Sequence, residues 1–318
     1  MRFIGGRLVH LAVVLMAVTV LTFALLNLLP ASAAHAVAGP SASAQDVAAI
    51  QEELGLNDPA VIRYGRWLAG TLRGDLGVSL VSGQPVAQAL ASHLPVTLEL
   101  IVLAQLMALL LALPVAILSA WRMDSFFDRF FTTLGFGLTS IPSFALAVVL
   151  VYVFALQLKW FPATGFVPLT QGVWPNLKGL FLPAVSIALV EWVILMRVLR
   201  SELIATLKED FILLARAKGL PQWKILLRHA LQSSLFGTLT VFGLQIGNLI
   251  GGAVIIEQLF SLPGVGRLLL ASIFAQDLPM VQGCVLLVTL GYVVVNFLVE
   301  IGYGLLDPRL AGQGRAHG

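Results

Sequence analysis

The chain has 318 residues, of which 58% are hydrophobic and 11% are charged, with a formal net charge of +3 and a pI of about 9.2. Soluble domains have about 45–50% apolar and about 25% charged residues, so this composition excludes a soluble globule. The apolar residues form continuous runs of about 20 residues, which favour membrane helices over a β-barrel with its short alternating strands. The small positive charge is explained by basic loops beside a membrane and does not indicate nucleic-acid binding.

The hydropathy pattern predicts an all-α integral membrane protein with about six transmembrane helices. Each run is long enough to cross a hydrocarbon core of about 30 Å. The only cysteine, Cys284, lies within the last run, and we interpret it as a helix-packing residue. The predicted spans cover residues 8–29, 94–120, 130–156, 181–199, 233–256 and 280–306.

The first span resembles a signal peptide in one respect, because Arg2 and Arg7 precede it and the small residues Ala31, Ser32 and Ala33 follow it. Its apolar run is longer than the roughly 7–15 residues of a secretory core. We therefore predict an uncleaved membrane anchor.

The long segment 30–93 contains two predicted surface helices. The first starts near Ser43, which is spaced from Asp46 as in a capping box. The second starts with Asp58 as its N-cap and Pro59 at its first helical position. An apolar stripe on this second helix is suited to lie on the membrane surface or at a pore mouth; its residues are Val61, Tyr64, Trp67 and Leu68.

The distribution of basic residues predicts the orientation. If the N-terminus is cytoplasmic, about two thirds of the 19 lysines and arginines lie in cytoplasmic segments. Both termini are then cytoplasmic, segment 30–93 lies outside, and a long loop at 206–232 lies inside.

Four carboxylates lie in or near the predicted spans. Glu99, Glu257 and Glu300 are close to span ends, where we expect them to reach the interface. Glu191 lies in mid-span, where an acid is costly and therefore a functional candidate. It is predicted to line a translocation path and contact a cationic group; the alternative is a hydrogen bond to a neighbouring helix.

Motifs for catalysis and nucleotide binding are missing from the sequence. There is no G-x-x-x-x-G-K phosphate loop, so the chain is not expected to hydrolyse ATP by itself. The five histidines are scattered, without metal-ligand spacing. We predict a protein that is not an enzyme and binds no cofactor or metal.

The loop at 206–232 mixes charged residues with apolar residues at helical spacing. Phe211, Leu214, Ala215 and Lys218 are predicted to share one face, and the Gly-Leu-Pro sequence at 219–221 ends this helix. A second short helix is predicted from Gln222, giving a compact knob. Ala215 and Gly219, four residues apart, would let a partner backbone approach closely.

This loop resembles the cytoplasmic EAA loop of binding-protein-dependent ABC importer permeases, in the form found in the dipeptide/oligopeptide permease family. The position of the glutamate that names the motif is occupied by Leu213, so no glutamate contact is carried over. The matching residues are Asp210, Phe211, Ala215, Arg216, Ala217, Lys218, Gly219, Leu220, Arg228, His229, Ala230 and Leu231.

The resemblance extends along nearly the whole chain. After the first span, Pro30-Ala31-Ser32-Ala33 replaces the usual P-G-D-P turn. The similar segments are G-D-L-G-V-S at 74–79, L-P-V-T-L-E-L at 94–100, I-P-S-F at 141–144, F-P-A-T-G at 161–165, L-P-G-V-G-R at 262–267 and L-D-P-R at 306–309.

This resemblance implies a single permease domain over 1–318, with a first transmembrane helix at 1–29, an outer loop at 30–93, a five-helix core at 94–306 and a cytoplasmic tail at 307–318. It implies a pore-forming subunit of an ATP-driven importer in the bacterial inner membrane, most often for di- or oligopeptides. The implied partners are a second homologous permease, two ATPase subunits that bind ATP and Mg²⁺, and an external substrate-binding protein.

The resemblance also implies roles for individual residues. The implied outer gate or binding-protein contact comprises Gly74, Asp75, Gly77, Pro263, Gly264 and Gly266. The implied ATPase-coupling residues are Asp210, Phe211, Leu214, Ala215, Arg216, Ala217, Lys218 and Gly219.

Two alternatives stay open. An importer of the same fold could carry nickel chelates, opines or glutathione. A secondary transporter would instead work alone on an ion gradient, and Glu191 is the feature that suits it.

Overall fold

The computed structural model describes residues 2–28, 43–53, 55 and 57–306. The Pro30–Ala33 segment, the tail at 307–318 and the side chain of Glu300 lie outside the described residues. In chain order the helices are α1 (Arg2–Leu28), α2 (Ala44–Glu53), α3 (Ala60–Leu72), α4 (Val86–Trp121), α5 (Phe126–Thr139), α6 (Ser143–Gln157), α7 (Val173–Thr206), α8 (Asp210–Ala217), α9 (Gln222–Gly252), α10 (Val254–Leu259), α11 (Val265–Phe274) and α12 (Leu278–Leu306).

The all-α membrane architecture is confirmed. Helices α4, α7, α9 and α12 are each long and apolar enough to cross a membrane, and the α5–α6 pair adds a crossing if it is counted as one span. A sixth crossing, through α1, stays a prediction. The predicted boundaries at 94–120 and 181–199 were too narrow, because α4 and α7 continue beyond their most apolar stretches.

The third predicted span, 130–156, is not one straight helix. Helices α5 and α6 meet at a bend of 98°. Pro142 lacks a backbone N–H and restricts the residue before it, which favours a break at this point. It is the cap residue of α6, whereas Pro183 lies inside the continuous helix α7. Ser140 closes the last turn of α5, because its backbone N–H and its Oγ both donate to the Phe136 carbonyl, over 3.2 Å and 2.8 Å.

The predicted outer helices are present, with one correction. The capping box is confirmed: the Ser43 backbone N–H donates to Asp46 over 3.0 Å, and the hydrogen bonds from Ser43 hold the pKa of the Asp46 carboxyl below its usual value. The N-cap assignment of Asp58 is wrong. Helix α3 begins at Ala60 with Pro59 as its cap, and Asp58 forms an ion pair with Arg66 at 2.9 Å.

The apolar stripe of α3 contacts the first helix. Tyr64 Oη lies 3.0 Å from Thr19 Oγ1, and its ring packs edge-on against Phe23 with 5.4 Å between centroids. Val61, at the other end of the stripe, is 81% exposed.

The chain divides into two compact units. One comprises residues 1–98, 250–258 and 262–293, and the other comprises 99–249, 259–261 and 294–318. In the second unit α4 contributes a buried alanine every four residues, and these small side chains share a cluster with the large side chains of α7. Its members include Ala108, Ala112, Ala116, Ala120, Leu195, Met196, Leu199 and Leu203.

A buried ion pair joins α5 to α7 in the second unit. Arg200 donates from Nε and from its second guanidinium nitrogen to the two carboxylate oxygens of Asp128, each over 2.6 Å. The Asp128 side chain is 3% exposed and that of Arg200 is 25% exposed. The same carboxylate accepts the Asp124 backbone N–H over 3.0 Å, which fixes the turn before α5.

We predict that Asp128→Ala lowers the free energy of unfolding by about 3–5 kcal/mol, because Arg200 would be left buried without its counter-charge. The measurement is an unfolding titration in detergent micelles. The control is Asp58→Ala, since its ion pair with Arg66 is exposed and contributes at most about 1 kcal/mol. Equal losses for the two variants would contradict this prediction.

Candidate functional site

The loop at 206–232 contains one short helix, α8, followed by a sharp corner. Gly219 has φ of +74°, a conformation that favours glycine. The Gly219 N–H donates to Arg216 O over 2.9 Å, and the Leu220 N–H donates to Ala215 O over 3.3 Å, so the last carbonyls of α8 are satisfied. A Cβ at Gly219 would meet open space. Glycine is therefore favoured here by the backbone conformation of the turn and not by a lack of room for a side chain.

The residues predicted to share one face of α8 differ in burial, so that part of the prediction is wrong. Ile212 and Ala215 are buried against the protein, at 0% and 8% exposure. Phe211, Leu213 and Leu214 are exposed, at 46%, 51% and 57%. Ala215 therefore packs inward and is not available for close approach by a partner backbone.

The predicted second short helix does not exist as a separate element. Gln222 begins α9, which runs to Gly252 and includes a π-helical stretch at Ile225–Ala230. The Trp121 indole N–H donates to Gln222 Oε1 over 3.3 Å. Together with Arg216 of α8, these residues line a cavity of about 160 Å³ beside the loop.

Glu191 lies near the middle of α7 and contacts α9. The Gln245 side chain donates from Nε2 to the Glu191 backbone carbonyl over 3.1 Å. Glu191 Oε2 and Gln245 Oε1 are buried without a hydrogen-bond partner among the described residues. Two acceptor oxygens with no donor therefore lie on adjoining side chains within the membrane-spanning part of the unit.

The first outer segment, at 74–79, is a turn fixed by hydrogen bonds. Gly74 and Gly77 have φ of +86° and +83°. Asp75 Oδ1 accepts the Gly77 N–H over 2.9 Å. Ser79 Oγ donates to Asp277 Oδ2 over 2.5 Å, and the Leu80 N–H donates to the other oxygen of Asp277 over 3.2 Å.

The second outer segment, at 262–267, surrounds a buried acid. Glu257 is 0% exposed, so the prediction that it reaches the interface is wrong. Its Oε1 accepts the Thr97 hydroxyl over 2.6 Å, and its Oε2 accepts the Arg267 N–H over 3.0 Å. A Cβ at Gly264 would collide with the Glu257 carboxyl group, which explains the glycine at this position.

The structure brings the two outer segments together around one apolar cluster. Leu76 of the first segment and Val265 of the second both pack against buried Val86 and Met280. The glycines and Asp75 of these segments were among the predicted site residues, whereas Thr97, Ser79 and Asp277 were not. Ser79 and Thr97 lie in the family-like segments at 74–79 and 94–100, which was a signal for these two residues, whereas Asp277 lies in no such segment.

Comparisons with known proteins identify the family of this chain. Residues 112–312 match the family described as binding-protein-dependent transport system inner membrane component, and residues 1–101 match its N-terminal companion. A putative peptide transport system permease protein of Brucella abortus is 41% identical over 297 residues, which cover 93% of this chain and 95% of the relative.

Two further relatives align over almost their full lengths. A dipeptide transport system permease protein of Alkalihalophilus pseudofirmus is 34% identical over 324 residues, covering 96% of this chain and 97% of the relative. A glutathione transport system permease protein of Salmonella typhimurium is 33% identical over 310 residues, which cover 98% of this chain and 99% of the relative. The chain belongs to the family of binding-protein-dependent transport system inner membrane components, and it is a multi-pass permease subunit of the inner membrane.

Proposed function

We propose that this chain forms part of the translocation pathway of an ATP-driven importer of di- or oligopeptides, and that α8 couples it to an ATPase. The observation that carries this proposal is the exposed apolar face of α8. A second homologous permease completes the pathway, two ATPase subunits bind ATP and Mg²⁺, and an external binding protein delivers the cargo. This chain itself binds neither nucleotide nor metal.

The burial pattern of α8 suits the transmission of force. Ile212 is fully buried in the same cluster as Leu199 and Leu203 of α7, so the helix is packed on its inner side. Phe211, Leu213 and Leu214 point outward from this rigid base. Full burial of each such side chain is worth about 1.5–3 kcal/mol, which favours a protein partner over water. A packed helix transmits closure of that partner as a rigid-body movement.

Charged residues flank the exposed apolar residues of α8 in the chain. Asp210 precedes them, Arg216 and Lys218 follow them, and all three charged residues are exposed. An apolar centre with a polar rim is typical of protein–protein interfaces. Both termini and α8 are proposed to be cytoplasmic, as the distribution of lysine and arginine favours.

Peptides are the proposed cargo because the names of several relatives specify peptide or dipeptide transport. The glutathione permease among the relatives keeps glutathione as the alternative cargo. Nickel chelates and opines remain alternatives from the family resemblance alone.

The coupling proposal is tested with single-cysteine variants, because Cys284 is the only cysteine in the chain and is buried. In a Cys284→Ala background, Leu214→Cys carrying a thiol-linked photocrosslinker is expected to form an adduct with an ATPase that has a phosphate loop. Its thiol should react with a membrane-impermeant maleimide only after the cells are permeabilised. The measurement is mass spectrometry of the adduct together with labelling of intact and opened cells.

Val61→Cys in the same background is the control, because Val61 is 81% exposed and lies in the proposed outer segment. It should be labelled in intact cells and give no ATPase adduct. Labelling of Leu214→Cys in intact cells, or an adduct of Val61→Cys with the ATPase, would refute the proposed orientation and coupling role.

We also propose that Glu191 contacts a cationic group of the cargo, with Gln245 beside it. Within the described part of the chain, the carboxylate Oε2 and the amide Oε1 are both acceptors without a donor, and the α-ammonium group of a peptide supplies three donors. The alternative, a hydrogen bond between helices, involves the backbone carbonyl of Glu191 and leaves its Oε2 unused.

Glu191→Gln is therefore expected to reduce ATP-driven uptake of a peptide with a free amino group by about tenfold, the effect of losing about 1.4 kcal/mol of charge interaction. Uptake is measured in proteoliposomes at saturating binding protein. Glu202→Gln, an exposed change on the same helix, should leave uptake unchanged. If Glu191→Gln transports like the wild type, Glu191 does not contact the cargo.

A further inference from the structure

Two buried hydroxyl–carboxylate pairs flank helix α11. Thr97 pairs with Glu257 before the helix, and Ser79 pairs with Asp277 after it. All four side chains are buried, with at most 4% exposure. The hydroxyls belong to the start of α4 and to the outer segment before it, so α11 is connected at both ends to the N-terminal part of the same unit.

The pair at the N-terminus replaces the helix cap that α11 lacks. Its own cap residue, Gly264, has no side chain to accept a hydrogen bond. The Val265 N–H donates to Thr97 Oγ1 over 2.9 Å, and the Arg267 N–H donates to Glu257 Oε2 over 3.0 Å. The Thr97 hydroxyl in turn donates to Glu257 Oε1. Two N–H groups that a helix start leaves unsatisfied are thus paired with side chains from other elements.

The glycines of the segment allow this pairing. A Cβ at Gly264 would overlap the Glu257 carboxyl group, and a Cβ at Gly266 would lie 2.8 Å from Val254 Cα. The backbone therefore reaches the carboxylate only because both positions lack a side chain. The two glycines of the L-P-G-V-G-R segment thus let its backbone lie against the buried carboxyl group of Glu257.

The other end of α11 is held by Asp277. Its N–H donates to Ser272 O over 2.9 Å and closes the last turn. Its carboxylate accepts from Ser79 and from the Leu80 N–H, so the segment at 74–80 is bonded to the end of the helix.

We propose that Thr97 and Glu257 are positioning residues that hold α11 in place as part of the outer segment, so that this segment responds as one body when the external binding protein docks. The effect on docking rests on the proposed function; the placement of α11 does not. Neither residue is proposed to touch cargo.

The experiment compares variants within the complete importer complex. Thr97→Val removes the hydroxyl at constant shape, and Glu257→Gln replaces one of two acceptor oxygens by a donor that faces the N–H groups of α11. Thr97→Ser keeps the hydroxyl. Thr289→Val is the matched control, because among the described residues the Thr289 hydroxyl bonds to Val285 O of its own helix. Gly264→Ala tests the close approach of the backbone.

The first measurement is hydrogen exchange of peptides that cover 262–270. Thr97→Val, Glu257→Gln and Gly264→Ala are expected to speed exchange at the start of α11 by about tenfold or more, as expected for the loss of a buried hydrogen bond. Thr97→Ser and Thr289→Val should exchange like the wild type. Wild-type protection in Thr97→Val and Glu257→Gln would overturn the proposal.

The second measurement is ATPase activity against the concentration of loaded binding protein. The half-saturating concentration should rise about tenfold in Thr97→Val and return to the wild-type value in Thr97→Ser, with the activity in the absence of binding protein unchanged. A Thr97→Val chain that fails to assemble while Thr289→Val assembles would make the pair a folding determinant and overturn the positioning role. If the wild-type complex never responds to a binding protein, the proposed function fails, and the exchange comparison still decides the placement of α11.

Discussion

A chain in lipid must satisfy its backbone N–H and C=O groups internally, and this constraint decides where its helices can end. At three places in this structure a buried carboxylate accepts a backbone N–H that water would otherwise bind. Asp128 accepts the Asp124 N–H before α5, Glu257 accepts the Arg267 N–H at the start of α11, and Asp277 accepts the Leu80 N–H of the outer segment. Each acid also has a charged or hydroxyl partner: Arg200, Thr97 and Ser79.

The use of buried carboxylates to satisfy backbone groups also distinguishes Glu257, which has a structural role, from Glu191, for which we propose a functional one. Burial alone does not distinguish Glu191 from Glu257, since both carboxyl groups are largely removed from solvent. Glu257 uses both of its oxygens for hydrogen bonds, whereas Glu191 has a buried Oε2 with no partner among the described residues and lies where no helix ends. An acid that serves no backbone group is more simply explained by a ligand, and this is the reason for placing Glu191 on the proposed cargo path.

The sequence predicted the features that depend on solvent and on local pattern. Continuous apolar runs predicted α4, α7, α9 and α12, and the capping box at Ser43 predicted α2. One failure involves a distant partner, and two involve local patterns that fit more than one structure. Glu257 was expected at the interface because it follows a span, yet its hydroxyl partner Thr97 is 160 positions away. Gln222 was expected to begin a short helix, whereas it begins the long helix α9; a proline just before a helix start permits either length. The face of α8 was misjudged because Ile212, which fixes its inner side, is as apolar as its exposed neighbours.

The central claim is that this permease gains its energy from partner ATPases. The direct measurement is peptide uptake into proteoliposomes that contain the complex purified from native membranes through a tag on this chain. We expect the tag to bring down a second permease and ATPases with phosphate loops, and we expect uptake to need both ATP and the binding protein. A tagged chain that is isolated alone and transports peptide on an ion gradient, with ATP depleted, would contradict it.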